Sequence, residues 1–195
     1  MRRQAQRGTK EAPQKAHYIT EEGKLYYVKC AEDTHGELHG AATWWTISDE
    51  NQPVNLWLRC VYNHGELHGA WCEYYEDGVT LKEERNYRDN IVHGALATYD
   101  SDGSLYIECT FKNGLLDGYF KAWDDVTRGI LLEKSLCKND RPIYKHMYDA
   151  SGHVTAEYYY NECGECVEEV TYLRKNGHCY VGRKSAKGYS EDIYV

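Results

Sequence analysis

The sequence predicts an all-β protein: an elongated, single-layer, twisted antiparallel sheet built from tandem β-hairpin repeats. The hexapeptide His-Gly-Glu-Leu-His-Gly occurs at residues 35–40 and again, unchanged, at 64–69, with looser copies at 89–94 and 113–118. Between the copies, short runs rich in Tyr, Val, Leu and Thr alternate with Gly, Asn or Asp at intervals of about 8–12 residues. No stretch has a helical period of apolar residues, so each unit is expected to contain only strands and turns.

The glycine that closes each copy defines the repeat. Successive closing glycines are separated by 29, 25 and 24 residues, and each is preceded four positions earlier by Gly or Asn. Gly and Asn tolerate the positive φ that hairpin turns require, so the sequence predicts eight structural turn residues. They are Gly36, Gly40, Gly65, Gly69, Asn90, Gly94, Gly114 and Gly118. A second signal, Asp77-Gly78 and Asp102-Gly103, predicts the tight turn of each hairpin and leaves the hexapeptide as the wider one.

An aromatic residue follows each closing glycine by five positions. These four residues, Trp45, Tyr74, Tyr99 and Trp123, are called the aromatic ladder below. One interpretation is that the rings pack along one face of the sheet and supply its main apolar contact. The other is that they form a platform for a peptide, a glycan or a lipid, because a single-layer sheet cannot bury both of its faces.

Three regions are predicted: a flexible basic arm at 1–17, a repeat domain at 18–181 and a C-terminal tail at 182–195. Residues 1–16 contain five Lys or Arg and one Glu, a charge of +4, so the net charge of −8 leaves −12 on the rest of the chain. An acidic body argues against nucleic-acid binding, which needs a basic face. Membrane association also lacks electrostatic support, since only the arm is basic.

The sequence contains no apolar run of the ~18 residues that a membrane span needs, and its N-terminus lacks the apolar segment of a secretion signal. We therefore expect an intracellular, cytoplasmic protein whose eight cysteines are reduced. No cofactor is predicted. The oligomeric state stays open, because an open sheet has two free edges.

The turn histidines have the spacing of local metal pairs. Successive repeats lie two strands, or roughly 10 Å, apart, whereas zinc ligands must lie about 2 Å from the metal. We therefore expect these side chains to cap turns or face solvent rather than share a metal. They are His35, His39, His64, His68 and His93.

The cysteines suggest a second candidate metal site, at Cys163, Cys166, His178 and Cys179. A Cys-x-x-Cys followed by His-Cys is compatible with tetrahedral zinc, with a redox dithiol or with unpaired thiols, and unpaired thiols are the leading interpretation. Cys60 and Cys109 occupy the same repeat position and are expected to be small core residues.

The repeat resembles the MORN repeat in its variant form, written loosely as Asn-Gly-x-Leu-x-Gly followed by Tyr, Gly and Leu. The resemblance is clearest in 64–69 with Tyr74, Gly78 and Leu81. The more familiar form has a further glycine after the turn, which this chain lacks. The resemblance implies an extended scaffold associated with protein–protein contacts, membrane-proximal assemblies and phospholipid binding. Variant repeats also occur in proteins described as antitoxin components.

Taken together, these features predict a non-enzymatic scaffold that binds a protein of unknown identity through the aromatic ladder. The sequence contains no nucleophile–base–acid set, no phosphate-binding loop and no His-Glu-x-x-His motif. The alternative is a carbohydrate- or phospholipid-binding repeat module, because aromatic platforms also suit sugar rings and lipids. The missing secretion signal counts against a glycan, and the acidic body counts against a lipid.

Overall fold

The computed structural model describes residues 15–21, 24–50, 52–124, 129–175, 178–185 and 188–194. In these residues fifteen β-strands pair in chain order, each antiparallel to the next, in one sheet. This confirms an all-β fold of consecutive hairpins. The strands are β1 (Lys15–Glu21), β2 (Lys24–Glu32), β3 (Leu38–Ile47), β4 (Pro53–Asn63), β5 (Glu66–Tyr74), β6 (Leu81–Arg88), β7 (Ile91–Tyr99), β8 (Leu105–Lys112), β9 (Leu115–Trp123), β10 (Leu131–Lys138), β11 (Arg141–Tyr148), β12 (Val154–Tyr160), β13 (Cys166–Lys175), β14 (His178–Ser185) and β15 (Gly188–Tyr194).

The connections between strands lie along the two sides of the sheet at which the strands end. These sides are called edges below and are distinct from the outermost strands of the sheet. At one edge, the tight-turn edge, two-residue turns join β4 to β5, β6 to β7, β8 to β9 and β10 to β11. At the other edge, the wide-loop edge, loops of five to seven residues join β3 to β4, β5 to β6, β7 to β8, β9 to β10 and β11 to β12. Each hairpin therefore contributes one connection to each edge, and equivalent connections recur every second strand.

All eight predicted turn residues have a positive φ, from 62° at Asn90 to 135° at Gly118. In the two-residue turns both central residues are positive, as in His64-Gly65 (50° and 77°). This is the type I′ geometry, whose backbone twist matches that of the flanking strands.

The prediction of which turn is tight was wrong. The hexapeptide copies from 64–69 onward form the tight turns, and the Asp-Gly segments lie in the longer loops. The side chain of Asp77 explains why the loop between β5 and β6 is longer than two residues. Its carboxylate accepts hydrogen bonds from the backbone N–H groups of Val79 and Thr80, both at 2.9 Å. Such a side-chain cap stabilises a longer loop in place of a two-residue turn.

The closing glycines lie in β-bulges on the strand that contains the end of each hexapeptide copy. Between the pairs Cys60–Trp71 and Tyr62–Leu67, β4 advances two residues while β5 advances four. The longer segment contains Gly69, whose φ is 102°. The same register shift occurs at the other closing glycines, so the second glycine of the hexapeptide is needed for a bulge and not for the turn itself.

Gly118→Ala should lower the free energy of unfolding by about 1–3 kcal/mol, because a side chain there is strained at this φ. The added Cβ would also lie 3.1 Å from Cβ of Thr110. Gly103→Ala is the matched control, since it has a φ of +85° but nothing within 4 Å of the added atom. Urea denaturation of both variants measures the difference, and a smaller loss at Gly118 than at Gly103 would contradict the bulge argument.

The cluster of buried side chains that forms the hydrophobic core of β2–β5 lies on one face of the sheet, here called the core face. The ring of Tyr26 stacks on Trp57 with 4.2 Å between ring centres, and both rings pack edge-on against Trp44. Large rings thus cover small side chains, and Val28 and Cys30 are fully buried. The buried cluster comprises Tyr26, Val28, Cys30, Ala42, Trp44, Leu58, Cys60 and Trp71.

The two cysteines predicted for the core are buried, with 3% exposure at Cys60 and 5% at Cys109. Burial raises the pKa of the Cys60 thiol to about 12 and that of the Cys109 thiol to about 11. Both side chains therefore stay protonated at neutral pH and pack as small apolar groups.

The strands extend past the predicted repeat domain at both ends. Residues 1–14 of the predicted arm lie outside the described residues, but β1 already begins at Lys15. The segment 182–195, predicted as a tail, instead contains the end of β14 and all of β15. Strand β15 pairs with β14 from Cys179–Tyr194 to Ser185–Gly188 through its backbone, and such pairing does not depend on an apolar pattern in the sequence of β15.

The described part of the chain contains no helix able to span a membrane. The intracellular location stays a prediction.

Candidate interaction surface on the ladder face

The first residue of the aromatic ladder lies on the face opposite the core, here called the ladder face. Tyr27 alternates along β2 with Tyr26 and Val28, whose side chains are in the core, so Tyr27 points to the other face. Trp45 is directly opposite Tyr27, and their ring centres are 5.6 Å apart. The neighbouring Trp44 is opposite Val28 and is buried on the core face.

A row of directly opposed residues crosses the ladder face from β4 to β9 and locates the rest of the ladder. It consists of Arg59, Cys72, Glu84, Ala97, Glu108 and Lys121. The ammonium group of Lys121 lies 2.8 Å from the Glu108 carboxylate and 6.0 Å from the ring centre of Trp123. Trp123 therefore lies on this face.

Tyr74 and Tyr99 contact the same row. The guanidinium of Arg59 lies 5.7 Å from the ring centre of Tyr74. The hydroxyl of Tyr99 donates a 2.6 Å hydrogen bond to Glu84. Burial, followed by this bond to a carboxylate, raises the pKa of Tyr99 to about 12. All four ladder residues thus share one face, although they lie on alternate strands.

Each ladder residue is paired with an aliphatic residue at or near the start of the next strand, and Tyr148 repeats the arrangement a fifth time. The pairs are Trp45–Leu56, Tyr74–Leu81, Tyr99–Leu105, Trp123–Leu131 and Tyr148–Val154. These ten residues are called the ladder strip. Tyr148 was not predicted as a member, but its spacing of four residues to Gly152 matches that of Tyr74 to Gly78 and Tyr99 to Gly103.

The ladder strip is half-buried throughout and runs beside the wide-loop edge. The register shifts next to each aromatic member, so each ring lies at a β-bulge, a feature that re-aims side chains. In the described residues no ring–ring contact joins two members of the aromatic ladder; the rings contact the side chains of neighbouring strands instead. The main apolar contact of the sheet is on the core face. The interpretation that the ladder rings pack along one face and supply the main apolar contact of the sheet was therefore wrong.

The turn histidines connect successive repeats along the tight-turn edge. The backbone N–H of His64 donates to Nδ1 of His39 at 3.3 Å, and the two rings are 4.8 Å apart. In the next repeat Nδ1 of His68 lies 3.0 Å from Oδ1 of Asp89. Backbone bonds accompany these contacts, as from the N–H of Gly65 to the carbonyl oxygen of Leu38 at 2.9 Å. The histidines therefore have a structural role between repeats.

Asp33 is the most heavily bonded residue of this edge. Its carboxylate accepts hydrogen bonds from the backbone N–H groups of His35 and Glu37, at 2.8 and 3.0 Å, and lies 2.6 Å from Nδ1 of His64. The hydrogen bond to His64, followed by the backbone bonds, holds the pKa of Asp33 well below its usual range. Asp33, Glu37 and His64 also place three potential ligand atoms within 4.8 Å of one another, but their hydrogen bonds already account for the cluster.

The lowered pKa of Asp33 predicts a pH dependence of stability. The pKa of Asp33 is lower in the folded protein than its unfolded value of about 3.9. The ionised carboxylate therefore stabilises the folded state above about pH 3.9, and this stabilisation is lost as the pH falls below that value towards the folded-state pKa. Asp33→Asn should therefore lose less stability than the wild type between pH 5 and pH 3, as measured by urea denaturation midpoints. Asp49→Asn, which removes the same charge from an exposed side chain, is the control. Equal acid dependence in the wild type and Asp33→Asn would contradict this account.

The structure excludes a zinc site made from the predicted Cys–His set. Cys166 begins β13, whereas Cys179 is paired with Arg174 and His178 with Lys175 at the far end of the same strand. Eight residues of extended strand separate the two groups by roughly 26 Å, far beyond the span of one metal ion. Cys163 and Cys166 are both exposed beside the turn between β12 and β13.

The fold and the ladder face together define a β-hairpin repeat module. The family model for the MORN repeat variant matches residues 67–89 and 92–113, as the resemblance predicted. The matched segments correspond to β5–β6 and β7–β8, and each contains one ladder residue followed by a wide loop. The family is a non-catalytic repeat module. No curated protein matches the chain.

Proposed function

We propose that this chain is a non-enzymatic scaffold that binds another protein through the ladder face. The observation that carries the proposal is the ladder strip, a regular line of half-buried aromatic and aliphatic side chains on the face opposite the buried cluster of β2–β5. Aromatic residues held in place by their neighbours are typical of the centres of protein interfaces.

The electrostatic surroundings of the strip support the same function. Arg59, Glu84, Glu108 and Lys121 lie beside the rings and pair with them or with each other. Such pairs fix the orientation of the rings before a partner arrives, which lowers the conformational entropy that binding would otherwise cost. The strip is therefore preorganised for contact.

Replacing Tyr74, Tyr99 and Trp123 together by serine should remove at least nine-tenths of partner capture, because truncated anchors of this type each typically cost 1 kcal/mol or more of binding. The measurement is affinity capture from the native cell extract followed by quantitative mass spectrometry. Circular dichroism and a thermal scan establish that the variant is folded.

The control for this experiment removes aromatic rings elsewhere. Tyr106 and Tyr189 are 42% and 68% exposed and lie outside the ladder strip, so Tyr106→Ser with Tyr189→Ser should leave capture unchanged. If a folded ladder variant captures the same proteins in the same amounts as the wild type, the proposed function is wrong.

A further inference from the structure

The loops of the wide-loop edge, which adjoin the ladder strip, are strongly acidic. Each loop begins after an aromatic member of the strip, or within a few residues of it, and ends before the aliphatic partner. In their described residues these loops contain no Lys or Arg. They contain the carboxylates of Asp49, Glu50, Glu76, Asp77, Asp100, Asp102, Asp124 and Asp149.

Cationic side chains lie at strand ends along both edges. At the wide-loop edge Lys24 begins β2, and Lys82, the second residue of β6, lies 2.9 Å from the Glu73 carboxylate. At the tight-turn edge Arg88 ends β6, Lys112 ends β8 and Lys138 ends β10. The carboxylates of the wide-loop edge differ in lying directly beside the ladder strip. Carboxylates gathered along one edge raise the local concentration of cationic partners.

Several of these carboxylates are available to a partner. The side chains of Asp49, Glu50 and Glu76 are exposed and make no hydrogen bond or ion pair with the described residues. Others are committed in part: Asp77 caps its own loop, and Asp149 lies 3.6 Å from His153. An uncharged or acidic partner lying on the strip would lower the dielectric around the free carboxylates without compensating them, which costs free energy.

The spacing of the charges matches that of the strip. Equivalent positions lie two strands apart, or about 9.6 Å, so each step along the edge presents one ring, one aliphatic side chain and at least one carboxylate. In three steps the carboxylate directly follows the ring, at Tyr99-Asp100, Trp123-Asp124 and Tyr148-Asp149. The five positions are separated by four such intervals and span about 38 Å, which an extended peptide covers with roughly 12 residues.

We propose that the partner segment bound by the ladder face is basic: a polypeptide stretch with apolar side chains about 10 Å apart and Lys or Arg beside them. The apolar side chains contact the ladder strip, and the cationic ones meet the carboxylates of the wide-loop edge. The inference rests on the proposed function, because it names the chemistry of the partner for the same surface.

A peptide selection on the full-length chain tests the inference. The probe is a library of random 12-residue peptides displayed on phage, and the selected peptides are then synthesised and their affinities measured by fluorescence anisotropy. We expect the peptides to be enriched in Lys or Arg together with Leu or aromatic residues, and their affinity to fall with rising salt.

Three variants separate the possible outcomes. The ladder variant replaces Tyr74, Tyr99 and Trp123 by serine. The wide-edge variant carries Asp49→Asn, Glu76→Gln and Asp100→Asn, one charge from each of three successive loops. The control carries Glu37→Gln, Glu66→Gln and Glu162→Gln at the tight-turn edge. We expect about tenfold weaker binding in the first two variants and unchanged binding in the control.

The outcomes distinguish this inference from the function on which it rests. Peptides that are neutral or acidic, that lose binding in the ladder variant and that keep it in the wide-edge variant would overturn the basic partner and leave the scaffold function standing. Equal loss in the wide-edge variant and the control would also overturn it, since the charge effect would then be general. Peptides that bind the ladder variant as tightly as the wild type, or a selection that yields no binder, would count against both.

Discussion

Replacing Trp44 by alanine should lower the free energy of unfolding by about 3–5 kcal/mol, the range typical of large aromatic-to-alanine changes in cores. Trp44 is 5% exposed and packs edge-on against Tyr26 and Trp57, with ring centres 6.2 and 6.0 Å away. Its removal opens a cavity in the largest buried cluster of the chain's described part, which has no second layer to collapse onto the gap. Urea denaturation followed by tryptophan fluorescence measures the change.

The adjacent Trp45 provides the control for this prediction. It carries the same side chain on the opposite face and is only half-buried, so Trp45→Ala should cost about 1 kcal/mol of stability while weakening binding to the ladder face. Two variants that differ by one position should thus separate stability from binding. Equal stability losses in the two variants would contradict the assignment of the core to one face.

Arg85→Ala should be the next most damaging single change, at about 2–4 kcal/mol near pH 7. The Arg85 guanidinium lies 4.1 Å from the ring centre of Trp71, and its Nε lies 3.1 Å from Oε1 of Glu83. Glu83 is directly opposite Glu73 on β5, so two like charges face each other on the core face. Without Arg85, Glu83 loses its ion-pair partner while Glu73 stays beside it.

The pH dependence of this variant tests the cause of the loss. Burial, opposed by Arg85, raises the pKa of Glu83 in the wild type, and removal of Arg85 should raise it further. A raised folded-state pKa means that the folded protein binds protons more readily than the unfolded chain, so lowering the pH stabilises it. The destabilisation caused by Arg85→Ala should therefore shrink between pH 7 and pH 5.

Two further variants complete the test of Arg85. Adding Glu83→Gln to Arg85→Ala should restore part of the stability at pH 7, because the unpaired charge is gone. Arg88→Ala, at the exposed end of the same strand, should change stability by no more than about 0.5 kcal/mol. A loss from Arg85→Ala that is the same at both pH values would show that the ring contact with Trp71 accounts for the effect.

The repeat and its turns were predictable because their signals are local. Gly65 and Asn90 are residue types that tolerate the positive φ of a hairpin turn, so each marks a turn in the sequence. The recurring hexapeptide sets the period of the hairpins. The aromatic ladder was found for the same reason, since one ring per unit at a constant offset must return to equivalent strands. Which face of the sheet is buried was not local information.

The buried face could not be read from the sequence because bulges interrupt the alternation of side chains. Trp44 and Trp45 are adjacent and chemically identical, and only their partners across the sheet, Val28 and Tyr27, separate core from surface. The predicted zinc ligands failed for a related reason. Cys166 and Cys179 are close in sequence, but an uninterrupted strand holds them at opposite edges of the sheet.

The end of β14 and strand β15 were missed because most of their described residues from Arg183 onward are exposed, and the backbone pairing of β15 with β14 defines β15. The acidic edge was also missed, because its carboxylates are scattered along the chain and meet only when the hairpins align their loops. The recurrence of an aromatic residue followed by Asp, as in Tyr99-Asp100, was the one local sign of it.

Site-specific photo-crosslinking tests most directly the claim that the ladder face is the binding surface. A benzophenone amino acid replaces Tyr99 on that face in one variant and the exposed Tyr189, whose row lies on the core face, in another. Both variants are irradiated in native extract. We predict that position 99 forms covalent adducts with partner protein and that position 189 does not. Adducts at position 189 with none at position 99 would contradict the claim.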